Sequence, residues 1–172
     1  NTAEGLYYTR DCLAAKVKWN RVPDLKGWVY DIAFLDGQIF CAQMQHGKWS
    51  LYALDKKGHD NVQRLAISDE WVDDKESITL EIRGDELLVL VNYTRKGDQM
   101  HIYNPNSQKT EQLLKSQRVV FGKGMTFAVN PHNSNEMMVG YATTIKRWNI
   151  PSKSENRIKT GFHVDIEYVA YD

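Results

Sequence analysis

Apolar and polar positions alternate along this chain in short runs, and Gly, Asn, Asp and Lys separate one run from the next. A period near two marks half-buried strands, and the 3.6-residue period of an amphipathic helix is nearly absent. The pattern predicts an all-β chain. Four stretches, Val29-Tyr30-Asp31-Ile32-Ala33-Phe34, Ile78-Thr79-Leu80-Glu81-Ile82, Met125-Thr126-Phe127-Ala128-Val129 and Val164-Asp165-Ile166-Glu167-Tyr168, alternate as the innermost strand of a blade does. A turn follows each of the first three. Asp36-Gly37 leads into Ile39-Phe40-Cys41, Gly84-Asp85 into Leu87-Leu88-Val89-Leu90, and Asn133-Ser134-Asn135 into Met137-Met138-Val139. Gly and Asn tolerate the positive φ that tight hairpins demand.

The strands recur in blocks. An aromatic or apolar residue followed by Asp or Asn closes a strand at Trp19-Asn20, Leu54-Asp55, Tyr103-Asn104 and Trp148-Asn149, with spacings of 35, 49 and 45 residues. Propeller blades repeat every 40 to 45 residues or so, with variable loops. The expected architecture is therefore a single propeller domain or segment of four-stranded antiparallel blades, about four blade-equivalents in all. Its blade parts are residues 1–27, 28–74, 75–124, 125–163 and 164–172. Gly5 to Asn20 matches Val139 to Asn149 internally, which places Trp19 and Trp148 at equivalent core positions. In blade terms the chain starts after a first strand and stops with one. Either its own terminus or another chain completes that blade, in a small closed ring or in a larger, composite propeller.

The stretch from Phe127-Ala128-Val129-Asn130-Pro131-His132 through Glu136-Met137-Met138-Val139-Gly140-Tyr141 to Arg147-Trp148-Asn149 resembles a WD-repeat blade. Trp-Asn stands where that family has Trp-Asp, and the Gly-His dipeptide that opens its repeats occurs only at Gly58-His59. The resemblance implies a β-propeller that binds other proteins through its loops.

Composition narrows the functional classes. Apolar residues make up 42% and charged residues 26%, ordinary values for a globular domain. Lys and Arg number 22, as do Asp and Glu, so no net field favours nucleic acid or a membrane surface. No apolar run is long enough to span a bilayer, and membrane insertion is not expected. Cys12 and Cys41 lack ligand spacing and read as buried free thiols of an intracellular protein, cytoplasmic or nuclear. The five histidines show no metal-ligand spacing, and no nucleophile elbow, phosphate loop or HExxH motif occurs, so neither catalysis nor a cofactor or metal is expected.

Loops from second to third strands, and loops leading into first strands, converge on one face of a propeller. On this blade assignment they carry Arg10, Lys26, Trp28, His46, Lys48, Arg95, Lys96, Lys123 and His163. The set is basic although the chain is neutral, which points to a protein partner presenting an acidic or phosphorylated peptide. The function expected is a non-catalytic interaction scaffold in a multiprotein complex. A carbohydrate-binding propeller stacking sugars on Trp28, Trp49 or Trp71 is the alternative, although packing beneath loops is the plainer role for these three.

Overall fold

The computed structural model describes residues 5–9, 12–23, 25–45, 48–54, 62–67, 77–93, 97–115, 126–141, 143–158, 161, 166 and 169–171. They form two compact units, Asn1–Asp74 with Ile78–Leu80, and Lys75–Ser77 with Glu81–Asp172. The short strands β1 (Tyr7–Tyr8) and β2 (Asn20–Arg21) pair with each other. Next come β3 (Trp28–Leu35), β4 (Gln38–Gln45), β5 (Lys48–Leu54) and β6 (Val62–Ile67), hydrogen-bonded in chain order as an antiparallel sheet. A second such sheet runs through β7 (Ser77–Arg83), β8 (Glu86–Tyr93), β9 (Gly97–Asn104) and β10 (Lys109–Lys115). The third comprises β11 (Thr126–Val129), β12 (Glu136–Tyr141), β13 (Thr144–Asn149) and β14 (Ser154–Ile158). Each is a four-stranded meander, the blade of a propeller-like fold.

Turn chemistry explains why the strands end where they do. Asp36 and Gly37, with φ of 49° and 68°, form the tight turn from β3 to β4. Two positive-φ residues in succession give the hairpin twist that matches the flanking strands. The hairpins that close the second and third sheets share one construction. Asn104 Oδ1 accepts the Ser107 backbone N–H at 2.9 Å and Asn149 Oδ1 accepts that of Ser152 at 3.0 Å, with positive φ at Gln108 and Lys153 one residue later. The aromatic–Asn pairs Tyr103-Asn104 and Trp148-Asn149 thus end third strands because the Asn side chain folds the turn into the fourth.

In the second unit, Leu88 and Leu90 of β8 with Met100 and Ile102 of β9 form one buried cluster with Phe127, Val129, Met137, Val139 and Trp148 of the third sheet and with Ile150 in the turn after β13. Two meanders therefore pack face to face. At about 1.5–3 kcal/mol for each large apolar side chain fully buried, this cluster outweighs any surface pair such as Lys146 Nζ–Glu155 Oε2 at 2.9 Å. A polar seam joins the same two sheets at their first turns. Arg83 donates to the Ser134 carbonyl at 2.6 Å and to Asn135 Oδ1 at 2.8 Å, and it pairs with Glu86 at 3.2 Å.

A smaller cluster holds the first unit. Val29, Cys41, Tyr52 and Leu54 of the first four-stranded sheet lie under Val22 and Leu25, with Leu6 and Tyr8 packed against them. The Val22 N–H donates to the Leu6 carbonyl at 2.8 Å. The internal match between the chain's two ends fails at its tryptophans, because Trp148 is 3% exposed and Trp19 is 63% exposed. Trp148 sits on a strand flanked on both sides, by β12 and β14, whereas Trp19 only precedes the two-residue strand of a two-stranded ladder.

Candidate binding surface

The start of β3, the end of β4 and the start of β5 lie at one end of the first four-stranded sheet, because Trp28 pairs with Met44 and Gln45 with Lys48. Trp28, Met44 and Trp49 stand in register on three adjacent strands, with Met44 and Trp49 buried and Trp28 54% exposed. The loop that leads into Trp28 is pinned twice. Gly27, at φ +111°, lies so close to the Met44 carbonyl that a Cβ would sit 2.9 Å from that oxygen. Only glycine combines this φ with this approach. The fully buried Gln43 side chain donates through Nε2 to the Lys26 carbonyl. A half-exposed indole is thereby held on a fixed backbone, with Lys26 exposed and Lys48 half-buried at the same end of the sheet. Such a corner offers an aromatic face for stacking and ammonium groups for an anionic partner.

Of the nine residues expected on the loop face, Lys26, Trp28 and Lys48 come together here. Arg10, His46, Arg95, Lys96, Lys123 and His163 lie outside the described residues. Trp28 is half-exposed, not packed beneath a loop. Trp49, 2% exposed, offers no stacking face because it stands on β5 between β4 and β6. Trp71 lies outside the described residues.

The sequence did not reveal the bare apolar face beside this corner. A β-bulge at Tyr30 shifts the β3–β4 register between Val29 and Asp31. Uninterrupted alternation would put Trp28, Tyr30, Ile32 and Phe34 on one side. With the bulge, Val29, Ile32 and Phe34 share a face with Cys41 and Gln43, and Trp28 turns to the other. Leu6, Tyr8, Val22 and Leu25 pack with Val29 and Cys41, while Ile32 is 37% and Phe34 67% exposed. A bulge leaves no compositional trace at a residue such as Tyr30.

Burial pushes the Cys41 thiol up to about 12, far from the thiolate a nucleophile needs. Cys12 was expected to be buried too, and it is exposed on the β1–β2 connection. Among the described residues no three His, Cys, Asp or Glu side chains are grouped to hold a metal ion. No helix among them is long and apolar enough to cross a membrane.

No protein-family model matches the sequence, and no curated protein matches it. Solved structures do. An auxiliary nutrient binding protein from Bacteroides thetaiotaomicron superposes with a TM-score of 0.56 at 13% identity, over 84% of this chain and 33% of that one. TolB from Acinetobacter baumannii superposes with a TM-score of 0.54 at 11% identity, over 81% of this chain and 34% of that one. At such identities the likeness shows the fold alone, and the chain spans about a third of either neighbour's length. Both neighbours are β-propeller proteins, and the all-β architecture of this chain, with four-stranded antiparallel blades, is propeller-like.

Proposed function

We propose that this chain is a non-catalytic interaction scaffold of an intracellular multiprotein complex, a divergent relative of WD-repeat propellers. It binds partners through the Lys26–Trp28–Lys48 corner and through the open face of its first blade. The observation that carries the reading is Trp28, half-exposed on a backbone fixed by Gly27 and Gln43. Little ordering entropy is lost when a peptide docks on groups already held in place. The basic pair beside the indole favours an acidic or phosphorylated peptide. The two free cysteines, Cys12 exposed among them, suit a reducing compartment.

The test is a titration with a library of acidic and phosphorylated peptides, read by calorimetry. Aromatic anchors are worth about 2 kcal/mol or more at an interface, so Trp28→Ala weakens the best binder by about 30-fold. Charge reversal at Lys26 and Lys48 weakens it further and flattens its salt dependence. Saturable binding that neither substitution changes would remove this corner from the account. One observation favours a second reading, in which Trp28 stacks on a sugar: its indole is open to solvent, and one structural neighbour is a nutrient-binding protein. Glycan-array capture lost in Trp28→Ala, with no peptide binding, would install that reading instead.

A further inference from the structure

The outermost strands of the three sheets, β6, β10 and β14, are guarded unequally. An outermost strand offers unpaired backbone N–H and C=O groups, and proteins blunt such an edge with a bulge or with lysines. On β6 the register slips so that Leu65 stands as an extra residue between Arg64 and Ala66, and on β10 Leu113 does the same between Gln112 and Leu114. β10 also begins with Lys109 and ends with Lys115. β14 has neither guard. It pairs with β13 without a break, from Ser154 opposite Asn149 to Ile158 opposite Ile145, and no lysine lies in it. Among the described residues β14 pairs with β13 alone.

One cation on this edge is left uncompensated. Lys146 of β13 and Arg157 of β14 stand directly opposite each other, and like charges so placed destabilise a sheet. Lys146 is neutralised within the hairpin, since its Nζ lies 3.1 Å and 2.9 Å from the two carboxylate oxygens of Glu155. Arg157 is exposed and donates to a neutral group, Thr144 Oγ1, at 3.0 Å, with no carboxylate partner among the described residues. A guanidinium carries more donors than that single bond uses. The hairpin from Thr143 to Ile158 holds Lys146, Arg147, Lys153 and Arg157 against Glu155 alone, although the chain as a whole is formally neutral.

We propose that β14 is a docking edge for an extended, acidic segment of a partner protein, which joins the third sheet as a further strand with an Asp or Glu opposite Arg157. This is a second surface, separate from the Lys26–Trp28–Lys48 corner. In strand addition the backbone ladder supplies affinity, and side chains at alternate positions supply selectivity. On the face that carries Arg157, one row across the sheet runs Phe127, Val139, Lys146, Arg157. The next place in that row belongs to the incoming carboxylate, which meets a planar fork able to hold it with two hydrogen bonds. Two residues along, the partner's side chain stands opposite Glu155. A second acid on the same face is excluded there.

The probe is a display library of short random peptides, panned against the full chain. Selected peptides should carry Asp or Glu at one fixed position in a β-forming sequence, and their binding should slow amide exchange along β14 but not along β6 or β10. Arg157→Glu should weaken the best binder by about 30-fold, as loss of a charge-assisted contact does, with an unchanged thermal midpoint because that side chain is exposed. Arg157→Lys keeps the charge without the fork and should retain part of the affinity. Methylating alternate backbone nitrogens of the peptide should abolish binding in one phase and spare it in the other, since only one set of N–H groups faces β14. Failure to select any peptide, binding indifferent to Arg157→Glu, or equal effects of the two methylated peptides would overturn the proposal. Binders lost in Trp28→Ala but kept in Arg157→Glu would move docking to the other corner, which removes the edge and leaves the scaffold reading standing.

Discussion

Adding a single methyl group at Gly140 probes how tightly Ile166 and Val169 are seated. Gly140 has no positive φ, so its backbone admits alanine. Space decides the sign. A Cβ there would lie 2.8 Å from Ile166 Cγ2, 3.0 Å from Thr126 Cγ2 and 3.0 Å from Val169 Cγ1, against the 3.5–4.0 Å or so at which carbon atoms pack best. Gly→Ala gains about 0.4–1 kcal/mol by restricting the unfolded chain. Overpacking a filled site costs about 1–3 kcal/mol. With three contacts short at once the second effect wins, and Gly140→Ala should destabilise the fold by about 1–2 kcal/mol. For an m-value of about 2 kcal/mol/M, the urea midpoint falls by roughly 0.5–1 M. What yields is the packing of Ile166 and Val169, near which the described polar holds are the Val169 bond to Thr126 and that of Tyr171 to Glu136 at 3.3 Å. Hydrogen exchange at the Val169 amide should therefore accelerate more than at Met137 or Val139. Ile166→Ala removes the closest methyl, so it should cost less in the Gly140→Ala background than alone. A Gly140→Ala protein more stable than the parent, with Val169 protection unchanged, would refute the seating described here.

Other substitutions separate buried from exposed elements. Trp148→Ala should cost about 3–5 kcal/mol in chemical denaturation and Trp19→Ala less than about 0.5 kcal/mol, although the repeat pairs them in sequence; equal costs would show that the exposure of Trp19 is misplaced. Burial, then the neighbouring Glu136 charge and the hydrogen bond to it, raise the Tyr171 hydroxyl from 10.0 to about 12, with Arg147 acting the other way. A raised folded-state value means the contribution is fully present below pH 10 and is lost as pH climbs from 10 towards 12. Urea midpoints across that window should fall less steeply for Tyr171→Phe than for the parent, and parallel slopes would count against the Glu136 contact. A disulfide reagent at pH 8 should label Cys12 promptly in the native protein and Cys41 only on unfolding, giving one fast thiol per chain; two fast thiols would contradict the burial of Cys41.

Much of the fold was legible because its signals are local. Alternating runs and turn residues placed β3, β4, β7, β8, β11 and β12, and the aromatic–Asn pairs at Tyr103-Asn104 and Trp148-Asn149 marked the ends of third strands. Where the reading depended on neighbours in space it faltered. Trp19 and Trp148 look alike in sequence, yet their exposure depends on how many strands flank them. The candidate surface was the least legible part. Trp28 was named, but its exposure follows from the bulge at Tyr30, and the bare pair Ile32 and Phe34 follows from the same shift of register. A one-residue insertion changes which face every later side chain joins, and alternation alone does not report it.

The most direct test of the account concerns whether successive four-stranded sheets pack face to face as blades. Nuclear Overhauser contacts measured on a methyl-labelled sample decide it. The account predicts contacts from the Leu88, Leu90 and Met100 methyls to those of Met137 and Val139 and to the Trp148 indole, with β10 and β11 unpaired. Backbone contacts running between β10 and β11, with those methyl contacts missing, would mean one continuous barrel and would contradict it.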